Sequence, residues 1–226
     1  MDLQTAEALV AAQFDTTSAA SDATAIRGWI HACVQDAVGR AKSRKVRREL
    51  GPTVADQWEY ALPVDVVDVR MLRVDGSRPW RRCSTEQLWE LQAGNGWLTR
   101  APGAFAPSFE EVAEGGDESP QDGDSATLAL WPTPTVAGLA MDALCAVLPP
   151  AIDSETADTY VLPVPEDLVR RIAVDGPIGM GFREALGRGD LAQQYEVRFE
   201  EAGVQELSRR ANSRIGHGPV QLRPGG

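Results

Sequence analysis

The chain has 226 residues, with 33 acidic and 22 basic side chains and a formal net charge of −11. At ~150 residues for a typical domain, this length predicts one large domain or one domain that carries an insertion. The negative charge argues against a protein whose whole surface binds nucleic acid, and the lack of a long uncharged apolar run argues against a membrane protein.

The cysteines and the first residues bear on cofactors and compartment. Cys33, Cys83 and Cys145 are widely spaced and odd in number, so we expect neither a disulfide framework nor a zinc site. No cofactor is expected. The acids in the first fifteen residues are not typical of a signal peptide, so we expect a protein of cytosolic origin.

The N-terminal part of the chain predicts two helices. Residues 2–14 have apolar side chains near helical spacing, and residues 15–21 are small and polar, as in a loop. Ser21 or Asp22 can cap a long second helix with one broad apolar stripe. We expect this helix to continue through residues 40–50 and to stop at Gly51 and Pro52.

The middle of the chain has strand character. Runs of Val, aromatic and alternating residues predict strands, and Asp75-Gly76 predicts a hairpin turn between two of them. Helix competes with strand for the last run, but the prolines that flank it favour a strand. A capped helix is expected at residues 84–91 and a turn at Asn95-Gly96. The predicted strands cover residues 58–62, 66–74, 79–83, 126–131 and 139–147.

Helical patterns return at Pro165. A first helix is predicted from there, with a kink or break at residues 175–177 because Pro177 lacks an N–H donor. Gly187 and Gly189 end this helix, and Asp190 is expected to cap the last one. The sequence thus predicts an α+β fold in which a helical bundle of residues 1–52 and 163–211 carries a β-rich insertion.

Two segments lie outside that core. The insertion, residues 53–162, contains an acidic loop at 110–124 with little apolar surface to bury. Residues 212–226 form a C-terminal arm rich in proline and glycine.

No catalytic motif stands out. His31 lies inside the long helix and is expected to be a flanking or core residue, while His217 lies in the arm. The spaced glycines at 176–181 follow a helix rather than a strand, so they match a phosphate-binding loop poorly. We expect no enzyme, although a hydrolase with unrecognised acidic residues stays open.

Basic residues form two further candidate sites. The first is a cluster within residues 40–48, which is either a solvated helix end or a surface that faces an acidic partner or DNA phosphates. The second is the C-terminal tail, which is either disordered or an arm that orders on a partner. Candidates for subunit interfaces are Arg40, Arg44, Lys45, Arg47 and Arg48 together with Glu110, Glu111 and Asp117. Candidates for partner binding by the arm are Arg209, Arg210, Arg214, Val220, Leu222 and Arg223.

An ordered series of motifs resembles tailed-bacteriophage head–tail connector proteins, also called adaptors or head-completion proteins. The series comprises WEYALPVDVVDVRMLRVDG at 58–76, LALWPTP at 128–134, LPVPEDLVRRIAVDGPIGMGFREA at 162–185 and the last helix at 190–210. It spans about two-thirds of the chain. The acidic loop and the length of the β-rich insertion depart from the pattern.

This resemblance implies a structural protein of the virion neck. Such proteins form a ring, commonly of twelve copies, that docks on the portal protein and provides a platform for tail or neck proteins. DNA would pass through the ring without specific binding, and the arm, residues 212–226, would reach the portal. The alternative is a DNA-binding packaging factor that uses the basic cluster at residues 40–48.

Overall fold

The computed structural model describes residues 1–14, 22–94, 102–109 and 126–213. The predicted loop at 15–21, the turn at Asn95-Gly96, the acidic loop at 110–124 and the arm beyond residue 213 lie outside these residues. The fold combines helices with two sheets, which confirms the α+β class. It divides into a terminal unit, Met1–Ser43 with the chain from Pro149 onward, and a central unit, Arg44–Leu148.

The terminal unit begins with two capped helices. Helix α1 spans Leu3–Ala11 and helix α2 spans Ala23–Ala41. At the start of α1 the Asp2 carboxylate accepts a hydrogen bond from the Thr5 amide at 2.9 Å. The Asp22 carboxylate accepts one from the Thr24 amide, also at 2.9 Å, so the predicted cap of α2 is confirmed.

Two helical runs complete the terminal unit, and both alternate between α- and π-helical hydrogen bonding. The first consists of α4 (Glu166–Arg170), a π segment (Arg171–Asp175), α5 (Gly176–Met180) and a π segment (Gly181–Ala185). The second consists of α6 (Gly189–Val197), a π segment (Arg198–Gln205) and α7 (Glu206–Ser213).

The details of these runs correct two predictions. At residues 175–177 the first run does not break, because the backbone of Asp175 and Gly176 stays right-handed helical while the hydrogen-bond register changes. Asp190 is not the cap of the second run. Arg188 occupies that position, and its guanidinium pairs with the Asp190 carboxylate at 3.2 Å.

Helix α2 supplies the largest share of the core of the terminal unit. It contacts α1, α5, α7 and the two π segments 171–175 and 198–205. Its predicted apolar stripe is buried, which confirms that part of the sequence analysis. The buried residues of α2 are Ile26, Trp29, Ile30, Cys33, Val34, Ala37, Val38 and Ala41.

The predicted end of α2 is wrong. The helix ends at Ala41, where Lys42 adopts a left-handed backbone conformation with φ of 48°. Residues Lys45–Pro52 then form strand β1, which pairs antiparallel with a strand about a hundred residues later in the chain. Long basic side chains are compatible with either structure, so this distant pairing decides the outcome.

The central unit contains a three-stranded sheet and a four-stranded sheet. The first has the order β1-β7-β3 and is antiparallel; β3 spans Val66–Val74 and β7 spans Ala140–Val147. The second has the order β2-β6-β5-β4, with β4 parallel to β5. Its strands are β2 (Glu59–Ala61), β4 (Arg81–Arg82), β5 (Ala104–Ser108) and β6 (Thr127–Trp131).

Alternation along the strands builds two apolar layers. Phe105, Leu128 and Leu130 face the core shared with the three-stranded sheet, whereas Ala104 and Ala129 pack against helix α3, which spans Thr85–Gln92. Helix α3 and the strand at 139–147 were both predicted, and both are confirmed. Strand β5 was not predicted.

The turn at Asp75-Gly76 is tight, with φ of 52° and 64°. The strands on either side do not form the expected hairpin ladder, because β3 pairs with β7 and β4 pairs with β5.

Candidate interaction surfaces

The basic cluster is split between the two units. Arg40 belongs to α2 in the terminal unit. In the central unit, Arg44 directly precedes β1, and Lys45, Arg47 and Arg48 lie within it. The cluster is therefore not one helix end, which corrects the prediction for residues 40–48. Cations on a strand project to alternating faces of the sheet rather than around one helix terminus.

Arg40 is held within the terminal unit. Its guanidinium donates two hydrogen bonds to the Glu200 carboxylate, at 2.6 and 2.9 Å, and one to the Asp36 carboxylate at 3.2 Å. The hydrogen bond to Glu200 is the largest factor that raises the pKa of Arg40. This arrangement links α2 to the last helical run.

Arg44 and Arg48 bind acceptors in the central unit. Arg44 donates from Nη1 to the Leu148 carbonyl oxygen at 2.8 Å, which ties the two ends of that unit together. The Arg48 guanidinium donates hydrogen bonds to both oxygens of the Asp65 carboxylate, with an Nη1–Oδ1 distance of 2.7 Å. Arg47 differs, since it is exposed and forms no ion pair with any described residue.

The described part of the predicted arm site is also paired. Arg209 and Arg210 both bind Glu206, and the hydrogen bond from Arg209 is the larger cause that lowers the pKa of Glu206 to about 2. Arg210 also reaches Asp167 in α4 at 2.7 Å, so this side chain fastens the last helix to the first run. Seven predicted site residues lie outside the described residues: Glu110, Glu111, Asp117, Arg214, Val220, Leu222 and Arg223.

A surface groove that the sequence did not predict lies on the outer face of the three-stranded sheet. Its volume is about 260 Å³, and Met71 and Leu144, opposite each other on β3 and β7, provide its apolar floor. Charged residues of both signs line the groove around that floor: Arg47, Arg48, Glu49, Arg73 and Asp142. The available signal was the adjacent apolar pair Met71 and Leu72, because only one of two successive strand residues can face the core.

Beside this face lies a buried carboxylate. Asp68 has an exposure of 1% and binds Arg70 at 2.8 Å and Arg82 at 2.7 Å. Arg82 comes from β4, so the ion pairs connect β3 to the four-stranded sheet. A buried charge of this kind costs stability unless it is paired, and here both partners are cationic.

The terminal unit has a separate apolar pocket of about 300 Å³ beside Cys33, Met180 and Phe199. Burial raises the pKa of the Cys33 thiol to about 12, so this cysteine stays protonated at neutral pH. Its sulfur lies 3.5 Å from the Met180 sulfur. The pocket is thus a packing feature without a reactive nucleophile.

Within the described ranges, no group of three or more His, Cys, Asp or Glu residues is arranged to hold a metal ion. Nor is any helix among them long and apolar enough to cross a membrane. The candidate sites in the described residues combine exposed charged side chains with exposed apolar ones.

The family model described as SU10 adaptor protein matches residues 1–223, so the chain belongs to that family. It is a structural adaptor protein of a bacteriophage. No curated protein matches the chain.

Proposed function

We propose that this adaptor forms a ring beneath the phage portal, extends the DNA channel and provides the platform for tail or neck proteins. The observation that carries the proposal is the family match over residues 1–223, together with the ordered motifs at 58–76, 128–134 and 162–185. We further propose that the terminal unit acts as a helical bundle at the contacts between subunits.

A ring requires contacts that close by rotation, so each subunit must present two different surfaces to its neighbours. Exposed apolar side chains in both units support this requirement. In the central unit, Val64 and Trp89 have exposures of 95% and 59%; in the terminal unit, Val161 and Val197 have exposures of 71% and 45%. Large aromatic side chains such as Trp89 are enriched where proteins bind each other.

The DNA-binding alternative has less support. Arg40, Arg44 and Arg48 already bind acceptors of their own unit, so fewer cations of the cluster are available for phosphates. A DNA-binding factor would show salt-dependent affinity that is lost with Arg44→Glu and Lys45→Glu. We expect no such binding at physiological salt, measured by fluorescence anisotropy on a labelled duplex.

The decisive test of the ring is electron microscopy of the native particle. We expect rotationally arranged copies between portal and tail, twelve in number. A particle in which the protein is a single copy, or lies away from the neck, would contradict the proposal.

The arm is tested by truncation. Deleting residues 212–226 is expected to leave the thermal midpoint within about 2 °C, because the buried contacts of α7 end at Ala211. The same deletion is expected to abolish assembly on purified portal protein, followed by electron microscopy. The matched control replaces Arg214 and Arg223 with alanine in the full-length chain, so it removes these two charges without shortening the arm. Normal assembly by the truncated protein would refute the role of the arm.

A further inference from the structure

The three-stranded sheet has two edges, and they differ. At the β3 edge the register shifts twice, between Val66 and Asp68 and between Val69 and Met71. The Trp80 amide also donates to the Leu72 carbonyl oxygen of β3 at 2.9 Å. Bulges and covering contacts of this kind block pairing with another strand. The β1 edge keeps a regular register from Lys45 to Glu49.

The backbone of β1 offers hydrogen bonds at its open edge. The Val147 amide donates to the Arg44 carbonyl oxygen at 2.9 Å, and residue 44 lies opposite residue 147 in the register. Because antiparallel pairs alternate, Val46 and Arg48 then point their backbone groups toward β7, and Arg47 and Glu49 point theirs away from it. Among the described residues, none bonds to these outward groups.

The side chains of the same two residues carry opposite charges. Arg47 and Glu49 are both exposed, lie on the outer face and form no ion pair with the described part of the chain. Glu49 lies directly opposite Asp142 of β7, which in turn lies opposite Arg73 of β3. Like charges placed opposite each other are destabilising, so a cation next to Glu49 at the open edge would stabilise it.

We propose that two copies of the unassembled chain pair through β1, antiparallel, about a two-fold axis at Arg48. This register places Arg47 opposite Glu49 of the second copy and Glu49 opposite Arg47 of the second copy. The outward amides and carbonyls of these residues then form four backbone hydrogen bonds. The row of charges across the combined sheet then consists of Arg73, Asp142 and Glu49 of one copy, followed by Arg47 of the second copy.

Charge selects this register over its neighbours. An axis at Arg47 would pair Glu49 with Lys45 of the second copy, but it would also place the two Arg47 side chains opposite each other. An axis at Glu49 would place the two Glu49 side chains opposite each other, again with like charges in contact. The axis at Arg48 also brings two equivalent arginines together, but each guanidinium is already bound to Asp65 of its own chain. An edge that carries lysines alone would repel itself, whereas the Arg-Glu alternation of β1 is self-complementary.

This pairing goes beyond the proposed ring, because a two-fold contact is isologous and does not build a ring. It describes the free protein before it meets the portal. A contact of one short strand per copy is smaller than the interfaces of stable dimers, so we expect weak association, with a Kd on the order of 100 µM.

The test is sedimentation equilibrium of the full-length chain over a range of concentrations, with charge-swap variants. Glu49→Arg and Arg47→Glu are each expected to weaken dimerisation about tenfold or more, since two attractive pairs become two repulsive ones. The double variant R47E/E49R restores opposite charges in the same register and is expected to return within about threefold of the wild type. Arg73→Glu makes the same charge change on β3, away from the open edge, and serves as the matched control.

Arg47→Pro provides a test that does not depend on charge. It removes a donor that points away from β7, so the fold is expected to persist with the same circular dichroism while dimerisation is lost.

A chain that stays monomeric to ~1 mM, well above the expected Kd, overturns the proposal. So does a dimer that ignores both the charge swaps and the proline, or a double variant that fails to recover. A ring that forms without portal and ignores these variants would overturn this inference and support the proposed function.

Discussion

Arg27 shows how one side chain can organise the terminal unit. Its guanidinium donates to Glu7 at 2.5 Å and to Asp158 at 2.9 Å, and to the carbonyl oxygens of Asp153 and Thr156 at 3.1 and 3.2 Å. The side chain has an exposure of 16%. The hydrogen bond to Glu7 is the largest factor that raises its pKa. Arg27 thus joins α1, α2 and the segment that follows the central unit.

Arg27→Ala is expected to lower the free energy of unfolding by about 2–4 kcal/mol, because it leaves a partly buried carboxylate and two carbonyl groups without their donor. Urea denaturation followed by circular dichroism measures the change. Arg209→Ala, which removes a side chain with 73% exposure, is the control and is expected to leave the free energy of unfolding nearly unchanged. Equal losses in the two variants would contradict the role given to Arg27.

The low pKa of Glu206 predicts that the stability of the protein decreases at acidic pH. Its pKa of about 2 lies below the ordinary value of 4.5, so the folded state binds the proton less readily than the unfolded chain does. The stabilisation is therefore fully present above pH 4.5 and disappears as the pH falls toward 2. Carbon-detected NMR titration of the Glu206 carboxylate is expected to show this low midpoint. With Arg209→Ala and Arg210→Ala the midpoint is expected to rise toward the ordinary value; an unchanged midpoint would contradict the assignment.

At the scale of elements, close approach of helices depends on particular glycines. A Cβ atom added at Gly181 would lie 2.5 Å from Cζ of Phe14 and 3.0 Å from Cζ3 of Trp29, whereas one added at Gly28 in α2 would meet nothing within 4 Å. Both positions have helical backbone, so the two glycines form a matched pair.

Gly181→Ala is expected to destabilise the protein by about 1–2 kcal/mol, since overpacking outweighs the gain in helix propensity. Gly28→Ala is expected to stabilise it by about 0.5–1 kcal/mol, because alanine loses less backbone entropy and meets no neighbour. Thermal unfolding of both variants tests the pair. If both substitutions changed the stability in the same direction, close packing around Gly181 would not explain the effect.

Local patterns predicted the elements whose causes are local. The stripe and the Asp22 cap specified where α2 begins, and the Ser84 cap specified α3. The end of α2 was missed because residues 45–50 become a strand only through pairing with β7. Strand β5 was missed because its five residues are short of β-branched side chains.

The charged sites were predictable in composition but not in their partners. The sequence identified Arg40 and Arg48 as candidates, but it did not show that Arg40 pairs with Glu200 and Arg48 with Asp65, since tertiary structure alone brings these side chains together. The groove on the outer face was missed for a related reason. Met71 and Leu144 become neighbours only through the β3–β7 register.

For the molecule as a whole, the central unit has the features of an independent domain. It is one continuous segment with its own apolar core, and Arg44 and Leu148 at its ends are joined by a hydrogen bond of 2.8 Å. We expect the fragment 44–148 to fold alone, because closing its ends costs little further entropy. Its amide NMR spectrum is expected to overlay on the matching peaks of the full chain; a spectrum with collapsed dispersion would contradict this.

The terminal unit has the opposite property, since its core unites the beginning and the end of the chain. The Leu3 amide donates to the Tyr160 carbonyl oxygen at 2.9 Å, and Ile30 shares a core with Ile172. During translation the ribosome therefore releases α1 and α2 long before their packing partners exist. The central unit can be fully synthesised while the apolar stripe of α2 is still exposed, because the helical runs that bury it have not yet been made. We expect the chain to need a chaperone most during that interval.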